Sequence, residues 1–393
     1  MSLMRTPRSL DLEITNRCDL RCKYCSHFTS PGDVKDDLAM DEWLRFFQEL
    51  NNCGVMTLTL SGGEPFCRDD LKELIEGIVL NRMRFNVLSN GTLITNDMAA
   101  FLSSTGRCNG VQVSIDGSIP TTHDIFRGEG NFKRAINGIA LLRKNNVPVT
   151  VRVTIHRENV RDLDGIAALL LEEIGLPSFS TNSATFLGLC RKNTGQVQLT
   201  VEEHSLAMKT LLRLNRKYGG RINASAGPLA DAMDWSMMEQ ARKEKRKDIP
   251  GRGYLTGCGG PNSQLAVRAD GVIVPCIQMS HIELGRINRD SLKEIWQGHP
   301  ELKRLRERCN TPLNRFDFCK GCEYINYCTG NCPAVAYTIT GHENHPSPDA
   351  CLRSFLEQGG ELPSDELSDT TSPSPPLEGD TKVDLHPSGM CIK

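Results

Sequence analysis

The sequence predicts an α/β protein: a partial, open barrel of parallel strands followed by a small cysteine-rich unit. Three observations carry this reading. Short β-rich runs alternate with helical runs over the first two hundred residues, the pattern changes after Gly220, and the 16 cysteines of the 393-residue chain fall in groups. Strand–helix alternation means parallel strands joined by right-handed crossovers. Roughly six such units fit before residue 220, fewer than a complete eightfold barrel needs. A doubly wound open sheet satisfies the same periodicity.

Each element has its own signal. SLDLEIT alternates through Leu10, Leu12 and Ile14, and VMTLTL, FNVLS, GVQVSI, VTVRVTI and FSTNSATF follow as strand candidates. Between the first two, Trp43, Phe46, Phe47 and Leu50 fall on one helix face, with Gly54 as the stop. Asn131 is the expected cap of a later helix with Phe132, Ile136 and Ile139 inside. Ile166 to Ile174 and Val201 to Tyr218 read as helices. ARKEKRKDIPGRG reads as a solvated helix and then a linker, too short and mixed for a nucleic-acid patch. Four regions result: a barrel over 1–230, a bridging helix and linker over 231–257, a cysteine-rich unit over 258–358, and a tail over 359–393. The tail is rich in Ser, Pro and acid and is expected to be disordered.

Charge excludes other classes. The 46 basic and 48 acidic residues nearly cancel, which argues against a general nucleic-acid or membrane-surface binder. No apolar run is long enough to span a bilayer, and the N-terminus has no signal-peptide core. A cytoplasmic location is expected, and clustered cysteines there hold metal or do chemistry more often than they form disulfides.

Cys18, Cys22 and Cys25 are spaced C-x3-C-x2-C directly after the first strand. Three thiolates on one tight loop can hold three irons of a cubane cluster, leaving the fourth iron open to another ligand. Zinc with a distant fourth ligand is the alternative, although zinc motifs usually pair two C-x2-C units. The second strand runs into Ser61, Gly62, Gly63, Glu64 and Pro65. Glycines there allow close approach to the backbone, and Glu64 offers a carboxylate to an ammonium group. This turn, the cysteine loop, Asn90 and Asp116 all sit at C-terminal ends of strands, where parallel α/β folds bind ligands.

In combination, Cys18, Cys22 and Cys25, with Tyr24 before the last of them, and Gly62-Gly63-Glu64-Pro65 resemble the radical SAM enzymes, over roughly residues 9–220. The resemblance implies a partial (β/α)6 barrel with a [4Fe-4S] cluster. Its open iron would chelate S-adenosylmethionine, and reductive cleavage would give a 5′-deoxyadenosyl radical that abstracts a substrate hydrogen. It also implies cofactor contacts for Tyr24, Gly62, Gly63, Glu64, Ser114 and Arg152, and adenine packing for Leu187. Arg152 would make a forked contact to the cofactor carboxylate. For Ser114 and Arg152 a strand-end hydroxyl and an ordinary ion pair are equal alternatives, and for Leu187 plain core packing is the simpler reading.

Further along stand Cys258 and Cys276, then Cys319, Cys322, Cys328 and Cys332 spaced C-x2-C-x5-C-x3-C, and then Cys351. This spacing looks like the SPASM domain, which usually houses two auxiliary [4Fe-4S] clusters. Carried over, Cys319, Cys322, Cys328 and Cys351 would hold the distal cluster, and Cys258, Cys276 and Cys332 the one nearer the barrel. No eighth cysteine stands just upstream of Cys258, so the near cluster has an open iron or takes a ligand from Cys309, another side chain or the substrate. A pair of zinc knuckles is the alternative. Cys53, Cys67, Cys108 and Cys190 read as small buried hydrophobes, with Cys190 also a candidate hydrogen-atom donor; Cys391 in the tail reads as incidental.

Relatives with this extension mostly modify peptides. The resemblance therefore implies a maturase acting on a ribosomally made precursor peptide, giving a carbon–carbon or thioether crosslink or an epimer. A reducing partner such as flavodoxin or ferredoxin is expected. Cys18 lies too near the start of the chain to leave room for a leader-recognition domain, so leader recognition is expected to use the barrel, the SPASM region or a separate recognition protein, or else the substrate lacks a leader. Formylglycine formation ranks lower, because Ile277 stands where sulfatase-maturating enzymes carry an Asp. A non-enzymatic iron–sulfur carrier is the competing class.

Overall fold

A computed structural model describes residues 4–30, 37–247 and 249–363. Six strands lie where the alternation places them: β1 (Ser9–Thr15), β2 (Thr57–Gly62), β3 (Arg84–Ser89), β4 (Cys108–Ser114), β5 (Val149–Ile155) and β6 (Phe179–Ser183). They pair in parallel, each with the next in sequence, and a short β7 (Ile222–Ala224) extends the row beyond β6. Consecutive order means every crossover runs the same way, so the sheet is singly wound and its helices share one face. A doubly wound sheet would reverse order at its first strand.

The sheet also curls. Arg152 of β5 exerts an electrostatic effect on Asp11 of β1. Those strands are four spacings apart, about 19 Å in a flat sheet, so only curvature brings the two side chains into range. Burial alternates to match. Leu10, Leu12, Leu58, Leu60, Val111, Val113, Val151 and Val153 are fully buried toward the helices. Asp11, Thr59, Asn86, Gln112, Arg152 and Ser180 alternate with them and are only half-buried. The inner face is polar and partly open, unlike the apolar plug of a closed barrel.

Helices α1 (Met40–Asn52), α2 (Leu71–Leu80), α3 (Asn96–Ser104), α4 (Pro120–Arg127), α5 (Asn131–Lys144) and α6 (Leu163–Ala168) cover the outer face. Trp43, Phe46, Phe47 and Leu50 of α1 are buried as the pattern requires, and Gly54 takes φ +73° just past the helix end. The helix expected over Ile166–Ile174 is two pieces: α6 and then a π-helical turn over Leu169–Glu173.

Two expectations are corrected. Asn131 does not cap α5: Gly130 does, at φ +78°, and Asn131 is the first helical residue. Its amide instead donates back to the carbonyls of Arg127 (2.9 Å) and Gly128 (3.0 Å), tying α5 to the end of α4. The charged run near 241–253 is not a solvated helix. After two short helices, α7 (Gly188–Lys192) and α8 (Thr194–Val197), and a long α9 (Val201–Lys217), the chain forms α10 (Pro228–Lys243). It buries Leu229, Ala232, Trp235, Met238 and Ala241, and only its last turn belongs to the basic run, with Arg242 and Lys243. Amphipathic packing on α9 begins three residues before the expected boundary.

The cysteine-rich unit is joined to the barrel sheet. β8 (Gln264–Val267) pairs in parallel with β1, and β9 (Val272–Val274) and β10 (Gly285–Arg286) continue antiparallel, making a ten-stranded sheet among the described residues. Most of the expected tail, including Cys391, lies outside the described residues.

Candidate functional site

The loop carrying Cys18, Cys22 and Cys25 leaves β1 and is anchored on both flanks. Asp37 accepts from Thr15 Oγ1 and Asn16 N, both at 2.6 Å. Asp19 accepts from Asn90 Nδ2 (2.8 Å) and Thr92 Oγ1 (2.6 Å). Cys25 O accepts from Cys190 N at 3.2 Å, and Phe28 O from Leu189 N at 2.7 Å. Burial pushes the Cys22 thiol up to about 11 and Cys18 further still. Thiolates in such a place need a cationic partner, and iron supplies one. Among the described residues no three His, Cys, Asp or Glu side chains converge on a single-ion site. A cube spreads its thiolates over separate irons, so the donor set fits a cluster.

The Gly-Gly-Glu-Pro turn packs against this loop. Gly62 sits at φ +128°, and a Cβ there would meet the Thr15 backbone; a Cβ on Gly63 would meet the carbonyl of Arg17 and the Cβ of Cys18. Glycine is needed because the turn and the cysteine loop touch backbone to backbone, a tighter constraint than ligand approach alone. Thr15 O accepts from Gly63 N at 2.8 Å, and Arg17 O from Glu64 N at 2.7 Å. Glu64 is buried, with burial raising its carboxyl to about 7. Both its oxygens serve the chain itself: Oε1 accepts from Ser89 Oγ (2.8 Å) and Phe66 N (3.3 Å), Oε2 from Asn90 N (2.7 Å). It staples the turn to the end of β3.

Behind Cys22 lies a buried group that the sequence reading largely missed. Asp116, at the end of β4, is fully buried and accepts from the Tyr24 hydroxyl, from Arg127 Nε (2.5 Å) and from Thr154 N (2.8 Å). Its own N–H donates to His123 Nδ1 at 3.1 Å. His156, just past β5, stacks with Tyr24 (5.9 Å) and packs on Phe126 (4.2 Å), and its two buried ring nitrogens have no hydrogen-bond partner among the described residues. Burial lowers the imidazole to about 4, so it is neutral. Unpaired ring nitrogens beside the loop suit a polar ligand rather than a dry core. The SIDG turn and the His-Asp-Ile-Phe-Arg segment were the available signals.

Ser114 and Arg152 are register partners on β4 and β5. Arg152 Nε donates to Ser180 Oγ at 3.4 Å and shares the inner face with Asp11, whose carboxyl burial raises and the Thr59 hydroxyl partly offsets. Leu187 is half-buried and precedes α7; Gly188 after it packs on the carbonyls of Cys25 and Phe28. Cys190 is fully buried among Phe126, Val197, Tyr24 and Phe186, with burial raising its thiol to about 12. Cys53, Cys67 and Cys108 are only half-buried.

The remaining thiols fall into two neighbourhoods. Cys319, Cys322, Cys328 and Cys351 line one cavity, closed by Met238, Phe318 and Tyr324. Cys258, Cys276 and Cys332 act on one another electrostatically, with burial raising Cys258 to about 12 and Cys276 to about 11. Asp11 of the barrel is within electrostatic reach of Cys276, so this second group faces the inner surface of the sheet. Buried Arg308 stands beside Cys258 and Cys332 and donates to the carbonyls of Thr256 (2.6 Å), Glu343 (2.9 Å) and His345 (3.1 Å). Cys309 is disulfide-bonded, so it offers no free thiolate to that group.

A family model described as the radical SAM superfamily matches residues 12–170, and one described as SPASM, an iron–sulfur cluster-binding domain, matches residues 258–323. The AdoMet-dependent heme synthase of Methanosarcina barkeri is 28% identical over 358 residues, covering 90% of this chain and 99% of that protein. The sporulation killing factor maturation protein SkfB of Bacillus subtilis is 30% identical over 290 residues, 74% of this chain and 64% of that protein. In fold, the chain resembles SuiB of Streptococcus suis, solved bound to precursor peptide SuiA, at TM-score 0.66 and 14% identity, over 89% of this chain and 77% of that one.

Proposed function

We propose a specific activity from the premise that this chain is a radical SAM enzyme with a SPASM iron–sulfur domain: it matures a ribosomally made precursor peptide, forming a crosslink between side chains or an epimer. The observation that carries the reading is the polar, partly open inner face of the sheet, set between the Cys18–Cys25 loop and the Cys258, Cys276, Cys332 group. Asp11, Asn86, Gln112, Arg152 and Ser180 offer donors and acceptors of the kind that pair with peptide backbone and polar side chains. The similarity to SkfB, a maturation protein, supports the same class.

Bound at Cys18, Cys22 and Cys25, the cluster and S-adenosylmethionine would supply a 5′-deoxyadenosyl radical. The chain's own residues hold the parts. Glu64 fixes the glycine turn against the loop, and Tyr24 and Asp116 fix the loop from behind. Two auxiliary clusters, on Cys319, Cys322, Cys328 and Cys351 and on Cys258, Cys276 and Cys332, would accept the electron that a net oxidation releases, with flavodoxin or ferredoxin as the outside reductant. Oxidation favours crosslinking over epimerisation. The burial of Cys190 behind Cys25 favours packing over hydrogen donation.

The similarity to the heme synthase over nearly its whole length favours a second reading, a tetrapyrrole substrate. One experiment separates them. Anaerobically reconstituted protein is given S-adenosylmethionine and dithionite with either a candidate precursor peptide or an iron porphyrin. Peptide that loses two hydrogens supports crosslinking, and unchanged mass with an inverted residue supports epimerisation. Turnover of the porphyrin alone overturns the peptide reading.

A further inference from the structure

Asp116 and Arg127 are buried charges, with 0% and 7% of their side chains exposed. Taking two ions out of water costs several kcal/mol each unless the pair is well satisfied. Asp116 is satisfied three times over, by Arg127, Tyr24 and the Thr154 amide. Arg127 reaches it through Nε, and its guanidinium carbon lies over the ring of Tyr24, 5.4 Å from the centroid. Lys23 N donates to Phe126 O at 3.0 Å, so the residue after Cys22 is bonded to the residue before Arg127. Arg127 therefore lies alongside Cys22.

We propose that Arg127 is a positioning residue for the cysteine loop, and that its fixed positive charge, held in place by Asp116, makes the cluster at Cys18, Cys22 and Cys25 easier to reduce. The inference rests on the radical SAM reading of that loop. Reduction adds one electron, from the outside reductant, to an already anionic group of iron, sulfide and thiolates. No bond forms or breaks and no proton moves. A cation within the same low-dielectric pocket favours the more negative product. Asp116 orients the guanidinium, and its own charge is spread over three donors.

The test is an EPR-monitored redox titration of anaerobically reconstituted full-length protein, following the signal that changes on adding S-adenosylmethionine. Arg127→Met is expected to lower the reduction equilibrium constant about tenfold, a shift of about 59 mV for a one-electron couple. Arg127→Lys, which keeps the charge and loses the fork, is expected to recover more than half of that shift. Titrations of both variants that superimpose on wild type overturn the inference, as do equal shifts in both, which would make geometry rather than charge the cause. If Arg127→Met loses iron from the loop, Arg127→Gln takes its place. Iron retained by the Lys variant alone supports the inference, and iron lost from all three leaves only a folding role and overturns it. Wild type with no signal sensitive to S-adenosylmethionine would instead overturn the radical SAM reading.

Discussion

Replacing Gly63 by alanine asks whether the contact between the glycine turn and the cysteine loop is essential. The new Cβ would lie 2.6 Å from the Arg17 carbonyl carbon, closer still to its oxygen, and 3.1 Å from Cys18 Cβ. The first two are backbone atoms and cannot rotate away. Reaching ordinary contact at 3.4 Å requires the Arg17 carbonyl carbon to retreat by roughly 0.8 Å and its oxygen by more, and misplacement on the order of 1 Å costs about 100-fold in rate. Overpacking adds about 1–3 kcal/mol of destabilisation. Gly195→Ala is the control, because that position is exposed, has nothing within 4 Å and needs no left-handed backbone. Both proteins would be reconstituted anaerobically and assayed for iron, sulfide and release of 5′-deoxyadenosine. Gly63→Ala is expected to lose about 100-fold in release while Gly195→Ala stays near wild type. Wild-type iron and release within about twofold in Gly63→Ala would refute the claim that the turn positions Cys18.

Cys22→Ala should abolish cofactor cleavage while most C-terminal iron stays bound, whereas Cys322→Ala should spare uncoupled cleavage and block product; iron analysis and 5′-deoxyadenosine assays distinguish the two. Arg308→Ala removes three donors from buried carbonyls beside Cys258 and Cys332. It should cost about 3–5 kcal/mol and deplete auxiliary iron, read by denaturant titration and metal analysis. Glu239 links α10 to the cysteine-rich unit, accepting from Arg242 (2.8 Å) and the Tyr324 hydroxyl (3.0 Å), and the Arg242 fork holds its carboxyl down near 2. A carboxyl lowered in the folded protein contributes stability above its usual value of about 4.5, and that stability is lost as pH falls toward 2. After solvent screening the contribution is about 1 kcal/mol. Glu239→Gln should flatten the acid limb of the stability–pH curve, and an unchanged limb would count against it.

Local pattern revealed the barrel strands because their apolar residues face helices and their polar residues face the interior, a period of two that needs no tertiary knowledge. Trp43, Phe46, Phe47 and Leu50 were legible for the same reason, at helical spacing. The cysteines were legible by number and spacing. What stayed hidden is long-range. Gln264–Val267 reads as a few apolar residues, and nothing local says that β1 is its partner. Arg127 and Arg308 look like surface cations, and only the fold buries them next to thiols. Asn131 was misjudged because Gly130 adopts the left-handed backbone first. That Glu64 accepts from Ser89 and Asn90 stayed hidden because sequence cannot show that they arrive beside it.

The pairing of β8 with β1 has a consequence for anyone tempted to trim this protein. A chain cut after residue 257 would strip β1 of the neighbour that shares its Ser9–Leu12 ladder. The severed flank would be a raw row of amides and carbonyls, inviting self-association. The piece that survives would be a sticky remnant and not a smaller catalyst.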